Sequence, residues 1–220
     1  MTLYYEDDFV TLYHGDCREA GQGWRNADVL VTDPPYGIAY ESNRNRDKRN
    51  LKVGRPIIGD ASADLRDLIL EQWGQRPAIV FGTWRVPRPA ATKALVIWHK
   101  VGAGGMGDLS MPWLPSHEDI YILGSGFVGK RSGSVLSVKA LMSNDASRPD
   151  HPTPKPIPLM ARLLATTTGT IADPFAGSGS TLIAAKQLGR QATGVEIEER
   201  YCEMAANRLA QDVLDFGAVS

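Results

Sequence analysis

Short apolar runs recur along the chain, divided by polar or glycine-rich stretches, and their period separates strands from helices. Residues 9–14 alternate apolar and polar positions, which predicts a short strand. Residues 27–32 (ADVLVT) form a compact apolar run that stops at Asp33-Pro34-Pro35, so they predict a buried strand feeding a rigid loop. Residues 78–81, 95–98 and 118–123 predict three more strands. Residues 61–73 follow a helical spacing instead, with Leu65, Leu68, Ile69 and Trp73 on one side. From Gly124 to Pro149, Gly, Ser and Lys dominate and the periodicity fades, which reads as a variable insert with a small hairpin around Ser134–Lys139. Pro152, Pro154, Pro156 and Pro158 then keep the chain extended ahead of a helix over 159–166.

The last fifty residues carry the clearest pattern. A strand ends at 170–172, a glycine-rich turn follows, and a helix over 181–188 is closed by Gly189. A second strand spans 192–197. A helix over 198–214 places Cys202, Ala205, Leu209 and Val213 on one stripe. This βαβα unit implies a parallel sheet with a right-handed crossover, hence an α/β fold with helices on both faces of a mostly parallel, twisted sheet.

At 220 residues the chain suits one domain over 1–220, with a small recognition insert within 102–150 and a basic loop over 41–56. The net charge of −1 gives no general attraction for nucleic acid, so such a partner needs a local basic patch. The 41–56 loop, with Arg44, Arg46, Lys48, Arg49 and Lys52, is the candidate. The two cysteines, Cys17 and Cys202, form no CxxC pair, which argues against a disulfide scaffold or a zinc site, leaves no metal expected, and suits a reducing cytoplasm. Neither a secretory signal nor a membrane-length apolar stretch is visible, so no membrane partner is expected.

Two motifs carry chemistry. Asp173-Pro174-Phe175-Ala176-Gly177-Ser178-Gly179-Ser180 lies between strand and helix, where α/β folds bind ligands and where glycines let the backbone come close. Glu196 ends the next strand, a position from which a carboxylate accepts both ribose hydroxyls of a nucleoside. No GK[ST] follows the glycines, which excludes a P-loop, and Leu182 stands where a dinucleotide fingerprint has its third glycine. The segment 102–107 does match GxGxxG, but Pro112 and Pro115 follow and no helix opens there, so it reads as a loop. The second motif is Asp33-Pro34-Pro35-Tyr36. Its prolines fix the backbone, leaving the Asp33 carboxylate and Pro34 carbonyl as acceptors beside the flat ring of Tyr36. Two acceptors and a stacking face suit a planar ring bearing an amino group. Hydrogen bonds from both N–H groups favour a pyramidal nitrogen, whose lone pair is then free to attack an electrophilic methyl.

Together, DPPYG at 33–37, HPTPKP at 151–156, DPFAGSGST at 173–181 and GVEIEERY at 194–201 resemble the amino-methyltransferases of DNA, in the circularly permuted order that puts the catalytic motif before the cofactor motif. The resemblance covers most of the chain and is weakest from Gly124 to Pro149. It implies a Rossmann-like S-adenosylmethionine-dependent methyltransferase fold. It also implies that Asp33, Pro34, Pro35 and Tyr36 hold a base flipped out of duplex DNA. Asp173, Phe175, Gly177, Ser178 and Gly179 would line the methionine end of S-adenosylmethionine, and Glu196 would hold its ribose. Thr153 and Lys155 match an element beside the cofactor carboxylate. Asp16, with Cys17 adjacent, matches an acidic residue near the cofactor's adenine, although a helix N-cap is an equal reading of Asp16.

Aspartate at the first motif position leans toward adenine N6, with cytosine N4 as the alternative. Cytosine C5 chemistry lacks its Pro-Cys nucleophile here. An RNA or protein-amide substrate, or a non-catalytic cofactor-binding partner subunit, are the competing readings. Members of the family often pair as homodimers, and a small bacterial or phage enzyme of a restriction-modification system fits the chain's size.

Overall fold

A computed structural model describes residues 1–19, 23–36, 64–102, 110–141, 145, 148–149, 151 and 153–215, with backbone alone at 212–215. Among the described residues nine strands form one sheet. In chain order they are β1 (Thr2–Glu6), β2 (Val10–His14), β3 (Val29–Thr32), β4 (Ala78–Gly82), β5 (Thr92–Val101), β6 (His117–Leu123), β7 (Val135–Lys139), β8 (Ile171–Asp173) and β9 (Ala192–Glu196). The helices are α1 (Asp64–Trp73), α2 (Ile157–Leu164), α3 (Ser180–Gln187) and α4 (Glu199–Asp215). The spatial order is β1-β2-β9-β8-β3-β4-β6-β5-β7. From β2 to β4 all neighbours are parallel, while β6 runs against both β4 and β5.

Strand alternation divides the core. Val29, Val31, Ile79, Phe81 and Ile120 face the cluster that α2, α3 and α4 cover through Leu159, Leu182 and Leu209. Their neighbours Leu30, Ala78, Val80 and Tyr121 face the other side, where α1 contributes Ile69 and Trp73. Trp73 stacks on Trp24 at 6.2 Å between ring centres. Both faces are therefore apolar, as a sheet between two helical layers requires.

Most elements fall within a few residues of the sequence expectation, and three features differ. Strand β1 carried no signal; it pairs antiparallel with β2 at the sheet's edge. The expected hairpin at 134–139 is a single edge strand instead. Strand β7 pairs parallel with β5, Ile97 opposite Val135, while Leu136 and Val138 pack on the core. The Trp98 indole N–H donates to the Val138 carbonyl at 3.0 Å and pins that crossover. Helix α2 starts at Ile157, so Pro158 lies in its first turn, where no intrahelical N–H partner is lost.

The carboxyl ends of β3, β4, β8 and β9 and the start of the reversed β6 meet at one edge of the sheet. A cleft of about 800 Å³ opens there. Among the described residues no helix is long and apolar enough to cross a membrane.

Candidate active site

One wall of the cleft is the turn between β8 and α3. Asp173 is buried, and accepts hydrogen bonds from the Thr32 hydroxyl at 2.7 Å and the Phe175 N–H at 3.2 Å. Burial nevertheless pushes its carboxyl up to about 6. Gly177 and Gly179 both adopt positive φ, at 51° and 80°. The two glycines do different work. A Cβ on Gly177 would come within 3.0 Å of the His151 imidazole, while one on Gly179 would come within 2.9 Å of the Ala205 Cβ in α4. Gly177 lines the cleft, whereas Gly179 stands off its wall and lets α4 close onto the turn.

Glu196, at the end of β9, faces that turn. One carboxylate oxygen accepts the Gly177 N–H at 2.8 Å and the other accepts the Glu198 N–H at 2.8 Å. Each oxygen keeps a second lone pair for a ligand. Burial raises this carboxyl to about 7 against those bonds. His151 packs edge-on against Tyr201 at 4.6 Å, and burial with nearby Lys155, Arg148, Arg200 and Arg208 holds it down to about 3, hence neutral. Asp16 and Cys17 also line the cleft. Asp16 accepts the Arg18 N–H at 2.8 Å within a turn rather than capping a helix, and its ion pair with Arg18 lowers its carboxyl. The Cys17 thiol is buried and raised to about 12, so it is no nucleophile.

The opposite wall is a chain of alternating charges. Asp33 follows β3; one of its oxygens accepts the Tyr36 hydroxyl at 2.6 Å and the other pairs with the Lys155 ammonium. Lys155 also lies 3.3 Å from Glu118 Oε2, and Lys100 holds Glu118 Oε1 at 2.6 Å. Burial and the Glu118 charge raise the Asp33 carboxyl, and Lys155 opposes them. Burial would also raise Glu118, but its two lysines outweigh it and hold it below the usual range. Burial alone would lower Lys155; the two carboxylates keep it charged and raise it instead. Glu118 Oε2 is itself buried, with the Lys155 ammonium as its charged neighbour.

The structure thus brings Asp33, Pro34, Pro35, Tyr36, Asp16, Cys17, Thr153, Lys155, Asp173, Phe175, Gly177, Ser178 and Glu196 to one cleft. Lys155 meets Asp33 there. Arg44, Arg46, Lys48, Arg49 and Lys52, and residues 103–107 of the GxGxxG segment, lie outside the described residues. Sequence reasoning missed Glu118, Lys100 and His151. The one signal for Glu118 was its place at the start of an apolar strand. Among the described residues no three His, Cys, Asp or Glu side chains group as a metal site.

Residues 92–207 match the N6/N4 family model, described as DNA methylase. The chain belongs to that DNA methylase family. YubD of Escherichia coli (strain K12), a methylase by name, is 31% identical over 204 residues, covering 83% of this methylase and 82% of YubD. The crystal structure of M1.HpyAVI in complex with SAM superposes at a TM-score of 0.63 with 21% identity, over 91% of this chain and 100% of the other. The PvuII DNA methyltransferase, cytosine-N4-specific, superposes at 0.67 with 13% identity, over 94% of this chain and 88% of the other. These two likenesses are of fold: the Rossmann-like methyltransferase sheet.

Proposed function

We propose that this chain transfers a methyl group from S-adenosylmethionine to the exocyclic amine of a base flipped out of duplex DNA, with adenine N6 as the target. The observation that carries the reading is the Thr32–Asp173 hydrogen bond of 2.7 Å. Thr32 immediately precedes the Asp-Pro-Pro-Tyr loop and Asp173 opens the glycine turn, so one buried bond ties the two motifs across a single cleft.

The residues present fit the cofactor. Glu196 keeps one free lone pair on each oxygen for the ribose hydroxyls, and the bare Gly177 leaves room beside His151 for the methionine end. The cofactor supplies a methyl group on a positively charged sulfur. On the other wall, Asp33 and the Pro34 carbonyl accept the two amine N–H groups, and the Tyr36 ring lies against the base. With the cofactor bound, the amine lone pair would take that methyl group as the methyl's bond to sulfur broke. The nitrogen then gives one proton to the Asp33 carboxylate, whose raised affinity for protons suits that role. Lys155, shared with Glu118, steadies the Asp33 charge without removing it.

Product identity tests this. The purified chain, incubated with S-adenosylmethionine and unmethylated duplex DNA, should yield N6-methyladenine on nucleoside mass spectrometry. N4-methylcytosine would keep the mechanism and reverse the base. Cofactor binding without any methylated nucleoside would sink the reading.

A further inference from the structure

The chain has five tryptophans, and they divide sharply. Trp24, Trp73 and Trp98 are 0%, 2% and 3% exposed; Trp84 and Trp113 are 74% and 75% exposed. The two exposed indoles belong to neighbouring loops. Trp84 follows the end of β4, Trp113 precedes the start of β6, and β4 and β6 pair with Gly82 opposite Asp119. Trp84 and Pro115 both line the cleft mouth, and Met111 and Leu114 are exposed beside Trp113. An exposed indole gains nothing for folding, and two on neighbouring loops beside the cleft mark a contact surface.

Cations accompany the indoles. Trp84 opens the run Trp84-Arg85-Val86-Pro87-Arg88; Arg85 and Arg88 are exposed, and the Arg85 guanidinium lies 5.8 Å from the Trp84 ring centre. Flat rings interleaved with cations match stacked bases between phosphates. A flipped nucleotide also leaves a gap in the stack, whose bared neighbours are apolar, flat and beside the target cleft.

We propose that Trp84 and Trp113 form a pair of indole jaws at the cleft mouth that stack on the bases flanking a flipped nucleotide, while Arg85 and Arg88 hold the adjoining phosphates. This deepens the reading of the cleft as a DNA base site and rests on it. The jaws stabilise the gapped duplex, so they act on the flipped state and not on the methyl transfer.

The test compares two short duplexes, one fully matched and one holding a single A·C mismatch, whose unpaired bases cost less to flip. The full chain should prefer the mismatched duplex. The double variant Trp84→Ala, Trp113→Ala should lose that preference and bind the mismatch about tenfold more weakly, with Trp84→Phe restoring most of the loss. Unchanged cofactor binding and melting temperature report an intact fold. Replacing Arg85 and Arg88 by Ser should leave the preference and lower the salt slope of binding by about 1 per arginine. Equal mismatch preference in wild type and double variant overturns the jaws and leaves the cleft's reading standing. A double variant that turns a dimer into a monomer without changing DNA affinity assigns the indoles to a second copy of the chain and overturns the proposal. A wild-type chain that binds cofactor but no duplex overturns both.

Discussion

Along the wall formed by β8, β9 and α3, backbone N–H groups hold the cleft's carboxylates, with the Thr32 hydroxyl adding one side-chain bond to Asp173. Gly177 and Glu198 N–H groups clamp Glu196, and the Phe175 N–H clamps Asp173. Along the wall formed by β3 and β6, side chains hold one another instead. Asp33, Lys155, Glu118 and Lys100 come from four separate segments and alternate in sign. The first wall is a rigid cradle fixed by a contiguous turn. The second is an electrostatic balance, in which one altered charge is felt by every other member. The two walls should therefore fail in different ways.

The largest effect is expected at Asp33. Asp33→Ala removes the acceptor of both the amine and its proton, and turnover should fall by about 10²–10⁴-fold. Cofactor affinity, measured calorimetrically, should stay near wild type because no bond of the glycine turn is touched. Cofactor affinity falling with turnover would dissolve the division between the walls.

The cradle should break through its backbone. Gly179→Ala places a Cβ within 2.9 Å of the Ala205 Cβ at a φ of 80°. With both strain and contact, the loss in urea unfolding should be about 2–3 kcal/mol. Gly189 provides the contrast: its φ is 64° but nothing lies within 4 Å of an added Cβ. Gly189→Ala should cost only about 1 kcal/mol. Equal losses at the two glycines would show that packing onto α4 is not what Gly179 provides.

The charge balance should shift rather than break. Glu118→Gln removes one of two carboxylates that share Lys155, leaving the ammonium to Asp33. The other groups facing Asp33, Tyr36 and Asp173, are unchanged. Losing a negative neighbour lowers the Asp33 carboxyl, so the acid limb of kcat/KM against pH should move to lower pH. The plateau should drop about tenfold as Asp33 becomes a weaker proton acceptor. A limb that stays put would uncouple Glu118 from the site.

The same contrast explains what the sequence revealed. The cradle is a short run of adjacent residues between a strand and a helix, so its glycines, its partner Glu196 and the βαβα unit around it were visible as local spacing. The balance is made across long separations; Lys155 and Asp33 are 122 residues apart. Such a meeting leaves no period, and Glu118 and Lys100 looked like ordinary charges at strand ends. Strand β7 was read as a small hairpin for a related reason: it pairs with no adjacent segment, and its parallel partner β5 is separated from it in sequence by β6. His151 opened the quoted HPTPKP run but was given no role there, until the fold set it against Gly177 and Tyr201.

The smallest effect separates the free cradle from the filled one. Burial raises Glu196 from its usual 4.5 to about 7. A carboxyl raised on folding binds its proton more tightly in the folded chain. Its contribution to stability is thus complete below 4.5 and is lost as pH rises through 7. Asp173, raised to about 6, acts in the same direction. These two carboxyls should therefore lower the stability of the cofactor-free chain from about pH 5 to about pH 7.5, while His151, held down to about 3, opposes them below its usual 6.5. Ribose hydroxyls donate to a carboxylate, so cofactor affinity should run the other way, rising severalfold over that range and flattening above it. Glu196→Gln should bind cofactor more weakly and show neither slope from this position. If affinity and stability rose together with pH, Glu196 would not be the group that receives the ribose.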